Sequence, residues 1–119
     1  MTLRKNREIL NNMKKGMIKV SALYPNGKGK KFDMDYYCNT HLPMVLGLLG
    51  DAVKSGTVER GLAGGTPDAP AGFLTMGHLY FETIEAFQNA FGPNAEKIMG
   101  DIPNFTNTVP VIQISEVMM

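Results

Sequence analysis

Two histidines, His41 and His78, are the side chains of this 119-residue chain best suited to move a proton near neutral pH. His41 stands two residues before Pro43, in a segment of helical spacing that would turn its imidazole inward. We therefore predict that His41 is a general acid or base, suited to isomerisation, decarboxylation or enolisation of a bound molecule. The alternative is a structural role, in which the imidazole bonds to a loop backbone or to the helix break at Pro43.

A second set of polar and aromatic side chains could hold a ligand. Met76, His78 and Tyr80 alternate along an apolar segment, so they share one face of a predicted strand. They would bind a ligand if that face lines a cavity, and would be hydrogen-bonded core residues if it faces the helices. Tyr24 and Tyr37 lie near the end of the first predicted strand and the start of a helix. A phenol there could orient a ligand oxygen or serve only in packing.

The residue inventory limits metal and covalent chemistry. One cysteine excludes an internal disulfide framework and any multi-cysteine zinc or iron–sulfur site, and two histidines exclude a three-histidine zinc site. An iron site made of His41, His78 and a carboxylate has no spacing to support it, so we predict neither a metal nor a cofactor. Cys38 falls on the same predicted helical stripe as His41. We expect a buried, inert thiol there, although a nucleophilic pair with His41 is within reach.

The basic residues of the chain are concentrated at its start. Residues 1–16 carry five Lys/Arg and one acidic residue, Glu8, whereas the remainder carries seven Lys/Arg and ten Asp/Glu. We predict a flexible basic extension over 1–16 and a single domain over 17–119. Because the domain is mildly acidic, no nucleic-acid partner is expected. Short apolar runs predict no membrane partner, and the lack of a continuous apolar export signal favours the cytoplasm.

The apolar patterns and turn residues predict six elements in the order strand, helix, strand, strand, helix, strand. The first helix starts at Asp33 as its N-cap and is expected to kink or divide at Pro43, and the second is capped by Thr83 and interrupted at Gly92. The strands are predicted over residues 17–24, 52–62, 73–81 and 110–118.

This order predicts an α+β, ferredoxin-like βαββαβ fold, with a four-stranded antiparallel sheet and two helices on one face. Two helices cannot cover the other face. The last strand has apolar residues on both sides, as Val111 and the pair Ile112 and Ile114 show. We therefore expect an apolar, uncovered face that packs against a second copy of the chain in a homodimer.

Four short segments stand in order along the chain, namely Tyr24-Pro25, Phe32-Asp33-x-Asp35-Tyr36-Tyr37, His41-x-Pro43 and Asp101-x-Pro103-x-Phe105-Thr106. In their residues and spacing they resemble the EthD family of the dimeric α+β barrel superfamily. The similarity extends over roughly residues 17–118.

The resemblance implies a homodimer in which two sheets close into an α+β barrel around a largely apolar cavity that binds a small, oxygenated organic molecule. The resemblance also implies that the His-x-Pro element recurs in the family, and this favours a catalytic role for His41. Relatives are associated with oxidative ether degradation, with isomerisation and with decarboxylation, so the resemblance leaves open whether the chain is an enzyme. The alternative is a non-catalytic carrier of such a molecule, or an accessory protein to an oxidative enzyme.

Overall fold

The computed structural model describes residues 14–119, so most of the predicted basic extension lies outside the described residues. Residues 14–16 are exposed, and the N–H of Gly16 donates to the carbonyl of Val117 at 2.7 Å. The domain core begins directly afterwards with the first strand, β1 (Ile18–Pro25). No helix within residues 14–119 is long and apolar enough to cross a membrane.

The first helical region consists of three consecutive pieces. Helix α1 (Met34–Tyr36) starts at Asp33, whose carboxylate accepts a hydrogen bond from the Tyr36 N–H at 3.0 Å, as expected of an N-cap. A π-helical turn (Tyr37–His41) follows, and then the regular helix α2 (Leu42–Leu49). The predicted division at Pro43 is confirmed, since proline lacks an N–H and is tolerated in the first turn of α2.

The π-helical turn corrects the prediction for Cys38, which is exposed rather than buried. The buried residues of this region are Tyr37, His41, Val45 and Leu49, each four residues after the last. A π-helical turn contains more residues than an α-helical turn and so shifts the side chains around the axis. Cys38 therefore falls outside the buried line that carries His41.

The second half of the chain closely follows the predicted order. Strand β2 (Ser55–Arg60) is shorter than predicted at both ends and follows a 3₁₀ turn (Gly50–Ala52), and β3 (Phe73–Phe81) matches its prediction. Helix α3 (Ile84–Phe91) is capped by the Thr83 hydroxyl, which accepts from the Ala86 N–H at 3.0 Å. A 3₁₀ turn (Gly92–Asn94), α4 (Ala95–Gly100), a 3₁₀ turn (Ile102–Asn104) and β4 (Val111–Glu116) complete the domain.

The four strands form one antiparallel sheet in the order β2-β3-β1-β4. This is the ferredoxin-like arrangement, and the predicted α+β fold is confirmed. Two buried clusters lie between the sheet and the helices. One combines aliphatic side chains such as Val45 and Leu49 with Phe81, and the other is aromatic around Tyr37 and Phe105.

The open face of the sheet, opposite the helices, differs from the predicted apolar surface. Its centre is polar, because Ser21 of β1 pairs with His78 of β3. Gln113 of β4 is the second cross-strand neighbour of Ser21 and therefore lies on the open face. Ile112 and Ile114, the residues before and after Gln113, lie on the helix side of β4. Both nevertheless remain more than 40% exposed, since β4 is an edge strand. The apolar surface is thus concentrated at the β4 edge.

Candidate functional site

An apolar cavity of about 230 Å³ lies between the sheet and the helices. Its walls come from β1 and β3 on one side and from α2, α3 and α4 on the other, with side chains such as Val20, Val45, Leu79 and Phe91. Among residues 14–119, only two lining side chains carry a polar group, namely His41 and Tyr24. A polar pair in an apolar enclosure is the usual composition of a small-molecule site.

His41 lies at the C-terminal end of the π-helical turn and is 4% exposed. Its Nδ1 atom lies 2.8 Å from Oδ2 of Asp101, 60 residues further along the chain. The imidazole stacks on the Tyr37 ring, with 5.6 Å between ring centroids, and contacts Phe105 at 4.7 Å. One hydrogen bond and two aromatic contacts therefore fix the plane of the ring.

Asp101 accepts hydrogen bonds from three side chains. In addition to His41, the Tyr36 hydroxyl donates at 2.8 Å and the Asn104 amide at 2.9 Å, both to Oδ1. Burial alone would raise the pKa of this carboxyl, but the hydrogen bonds from Asn104, His41 and Tyr36 together lower it below its ordinary value. Asp101 is therefore a carboxylate at neutral pH.

The ionised Asp101 determines which nitrogen of neutral His41 carries the proton. A carboxylate only accepts hydrogen bonds, so Nδ1 must donate and Nε2 keeps a free lone pair. Within residues 14–119, Nε2 has no hydrogen-bond partner and is not among the fully buried atoms left without one. Because His41 lines the cavity, Nε2 is the ring nitrogen that remains for a ligand.

Tyr24 and Tyr37 both belong to the aromatic cluster beside His41, but only Tyr24 lines the cavity. Burial, followed by the neighbouring Tyr37, raises the pKa of Tyr24 far above its ordinary value. Burial also raises the pKa of Tyr37 to about 12. Both phenols thus stay protonated at neutral pH and can donate hydrogen bonds.

Gly77 of β3 makes room for the Tyr37 side chain. A Cβ atom placed on Gly77 would overlap the Tyr37 hydroxyl oxygen. The side chain missing at this position allows Tyr37 to lie against the sheet and to support the imidazole that stacks on it.

The structure places His78, Met76 and Tyr80 on the other side of the sheet, where they line a groove on its open face. His78 is held there by two contacts, Nδ1 to the Ser21 hydroxyl at 2.7 Å and Nε2 to the Glu59 carboxylate at 3.0 Å. The predicted site is therefore divided by the sheet. Within one chain, these three side chains cannot contact a ligand that is held against His41.

Sequence reasoning gave Asp101 no part in the site and missed its contact with His41. The sequence does contain an Asp-x-Pro element at Asp101 and a His-x-Pro element at His41, but nothing in their spacing indicates that the two side chains meet.

For metals, no group of three His, Cys, Asp or Glu side chains converges in the part of the chain that the structure describes.

Comparison with solved structures gives relatives of the same fold. A crystal structure of an EthD-like protein from Ralstonia eutropha JMP134 is 44% identical, covers 89% of this chain and 96% of its own, and has a TM-score of 0.83. An ethyl tert-butyl ether D (EthD) family protein from Bacillus halodurans C-125 is 24% identical, with coverage of 86% and 99% and a TM-score of 0.58. A protein described as an antibiotic biosynthesis monooxygenase from Bordetella bronchiseptica, 13% identical with coverage of 87% and 99%, shares the fold at a TM-score of 0.55.

No curated protein matches the sequence. The EthD domain matches residues 27–108, a range that contains His41, Gly77 and Asp101 but not Tyr24. With this match and the Ralstonia eutropha relative at 44% identity, the chain belongs to the EthD domain family.

Proposed function

We propose that this protein binds a small, apolar, oxygenated organic molecule in the cavity between sheet and helices, and that His41 exchanges a proton with it. The observation that carries the proposal is the fixed His41–Asp101 pair, at 2.8 Å, on the wall of an otherwise apolar cavity. The pair orients the ring and leaves Nε2 without a partner among residues 14–119, which is the arrangement that a proton-transfer group requires.

The size of the cavity supports a ligand of about one ring. An apolar cavity of about 150 Å³ binds benzene in another protein, so about 230 Å³ accommodates a substituted ring or a branched ether. The Bacillus halodurans relative is named after ethyl tert-butyl ether, which is a compound of this size and polarity. We propose a ligand of this size that carries a carbonyl group, because the proton transfer described next requires one.

The proposed chemistry is proton transfer next to a polar group of the ligand. Nε2 of His41 takes a proton from a carbon beside a carbonyl, and the electron pair moves to the carbonyl oxygen to form an enolate. The Tyr24 hydroxyl donates a hydrogen bond to that oxygen, and Asp101 stabilises the imidazolium. Where a carbon–carbon double bond adjoins the enolate, return of the proton at the far carbon of that double bond shifts it and completes an isomerisation. In a decarboxylation of a β-keto acid, the bond to the carboxylate breaks first, CO₂ leaves, the electron pair moves to the ketone oxygen, and protonated His41 supplies the proton of the new C–H bond.

We also propose a homodimer in which a second copy covers the open face and the exposed apolar side chains of β4. The support is the exposure of Val111, Ile112 and Ile114 on this edge strand. Light scattering should give twice the 13.0 kDa mass of one chain, and the melting temperature should rise with protein concentration. A stable monomer at micromolar concentration would contradict the dimer.

The proton transfer can be tested with acetophenone in D₂O, following the loss of its methyl signal by proton NMR. We expect exchange by the wild type, and roughly 10²- to 10⁴-fold slower exchange by His41→Asn, since Asn bonds but does not titrate. His78→Asn is the matched control because it alters the other histidine on the opposite face.

Equal exchange rates in His41→Asn and the wild type would refute the catalytic role. Saturation-transfer NMR on the same samples measures binding independently of exchange. Binding of acetophenone without wild-type exchange would instead indicate a carrier.

A further inference from the structure

Tyr36 lies beside the candidate site without lining the cavity. Its hydroxyl donates to Oδ1 of Asp101 at 2.8 Å, and its ring stacks on Phe105 with 6.1 Å between ring centroids. Asp101 and Phe105 are also two of the groups that hold the imidazole of His41, through Oδ2 at 2.8 Å and through a ring contact at 4.7 Å. Tyr36 is therefore linked to His41 through two separate neighbours.

The backbone of Tyr36 is fixed at the start of α1. Its N–H donates to the Asp33 carboxylate at 3.0 Å, and the N–H of Asp33 donates to the Phe105 carbonyl at 2.8 Å. The capping residue thus joins Tyr36 to the segment that carries Phe105 and Asp101. Backbone contacts therefore hold the phenol in place beside the carboxylate.

The Tyr36 hydroxyl competes with His41 for the negative charge of Asp101. A hydrogen bond to Oδ1 draws charge away from Oδ2, the oxygen that faces the imidazole. The bond to Asp101 also raises the pKa of Tyr36, so the phenol stays protonated and donates at neutral pH. Less charge on Oδ2 means weaker stabilisation of the imidazolium, and therefore a larger neutral, basic fraction of His41.

The other groups around the imidazole carry no competing charge at neutral pH. Among the residues that the structure describes, no charged side chain except Asp101 is hydrogen-bonded to His41. The phenols Tyr24 and Tyr37 stay protonated, and Cys38, on the same π-helical turn, is exposed. The charge on Asp101 is therefore the property through which Tyr36 can act on His41.

We propose that Tyr36 is a positioning residue, which favours the neutral, basic form of His41 by drawing the charge of Asp101 towards Oδ1. This inference rests on the proposed function, because it assumes that His41 takes a proton from the ligand. It gives the two neighbouring tyrosines different roles, since Tyr37 supports the imidazole ring by stacking and Tyr36 adjusts the carboxylate behind it.

The test compares Tyr36→Phe with the wild type in the exchange of acetophenone between about pH 5 and pH 8. The variant loses the hydroxyl but keeps the ring that stacks on Phe105. Because the imidazolium is then favoured, exchange should be roughly twofold to fivefold slower on the acidic side of the pH profile and no slower on its upper plateau. A purely structural loss would slow exchange by the same factor at every pH. Tyr80→Phe is the matched control, since it removes a phenol hydroxyl from the open face, and should leave the profile unchanged.

Carbon-13 NMR of the Asp101 carboxylate tests the contact without a ligand. Burial raises the pKa of this carboxyl, and the hydrogen bonds from Asn104, His41 and Tyr36 lower it. Tyr36→Phe should therefore raise the pKa of Asp101. Asn104→Ala removes the other donor to Oδ1 and should move both the pKa and the pH profile in the same direction. Thermal melts check that each variant is folded.

Two results would overturn the role of Tyr36 and leave proton transfer by His41 intact. One is an unchanged pKa of Asp101 in Tyr36→Phe, and the other is a pH profile that keeps its shape in this variant. Absence of exchange in the wild type would instead overturn the proposed function and this inference with it, whatever the pKa of Asp101.

Discussion

Replacing Asp101 by Asn should destabilise the protein and reverse the tautomer of His41. The carboxylate accepts from His41 at Oδ2 and from Tyr36 and Asn104 at Oδ1. An amide has one oxygen and one NH₂ group, so either orientation places a donor against a donor. The simplest relief is a change of tautomer, in which Nδ1 of His41 accepts and Nε2 carries the proton into the cavity.

The expected loss of stability follows from the hydrogen bonds that change. A hydrogen bond to a charged group contributes about 1.5–3 kcal/mol, and the Asp101 side chain is 17% exposed, which favours the lower part of that range. We expect the free energy of unfolding to fall by about 2 kcal/mol. In a domain of this size, that corresponds to a decrease in melting temperature of roughly 8 °C.

The difference in folding stability between the wild type and Asp101→Asn should depend on pH in a definite direction. Folding lowers the pKa of Asp101 below its ordinary value of 3.8, so the carboxylate stabilises the folded state fully above that pH. The contribution is lost as the pH falls through the lower pKa of the folded state. The gap in stability between the wild type and Asp101→Asn should therefore narrow as the pH falls below about 3.8.

Two measurements check these expectations. Nitrogen-15 NMR of the imidazoles reports which nitrogen is protonated, with His78→Asn identifying the signals of His41, and denaturation at fixed protein concentration reports stability. Asp68→Asn, at an exposed loop carboxylate, is the control and should change neither quantity. An unchanged tautomer and melting temperature in Asp101→Asn would refute the positioning role.

Three further predictions concern the surroundings of the site. Gly77→Ala should cost about 1–3 kcal/mol because the new methyl group displaces the Tyr37 hydroxyl, and the added change Tyr37→Phe should recover part of the loss in denaturation experiments. In an absorbance titration near 295 nm, Tyr37→Phe should remove an ionisation near pH 12. Since folding raises this pKa from 10.0, its contribution to stability should be complete below pH 10 and lost on going towards pH 12. Exposed Cys38 should react with a thiol reagent in the native protein, and protection until unfolding would contradict the π-helical register.

The order of elements, both helix N-caps and the division at Pro43 followed from the sequence, because they depend on residues close together in the chain. Capping by Asp33 or Thr83 needs a partner only three residues away, and strand alternation is visible within a few residues. The fold class then followed from the order of elements and the limited reach of their connections.

Tertiary structure alone decided what the candidate site contains. The sequence placed Met76, His78 and Tyr80 on one face of β3 but not on a particular side of the sheet, because alternation is identical for both sides. It placed His41 inward but not beside Asp101, since a contact between residues 60 apart depends on how the helices pack on the sheet. Cys38 was misplaced for the same reason, because the phase of a helix through a π-helical turn is set by the packing of Tyr37 and His41 and not by residue spacing.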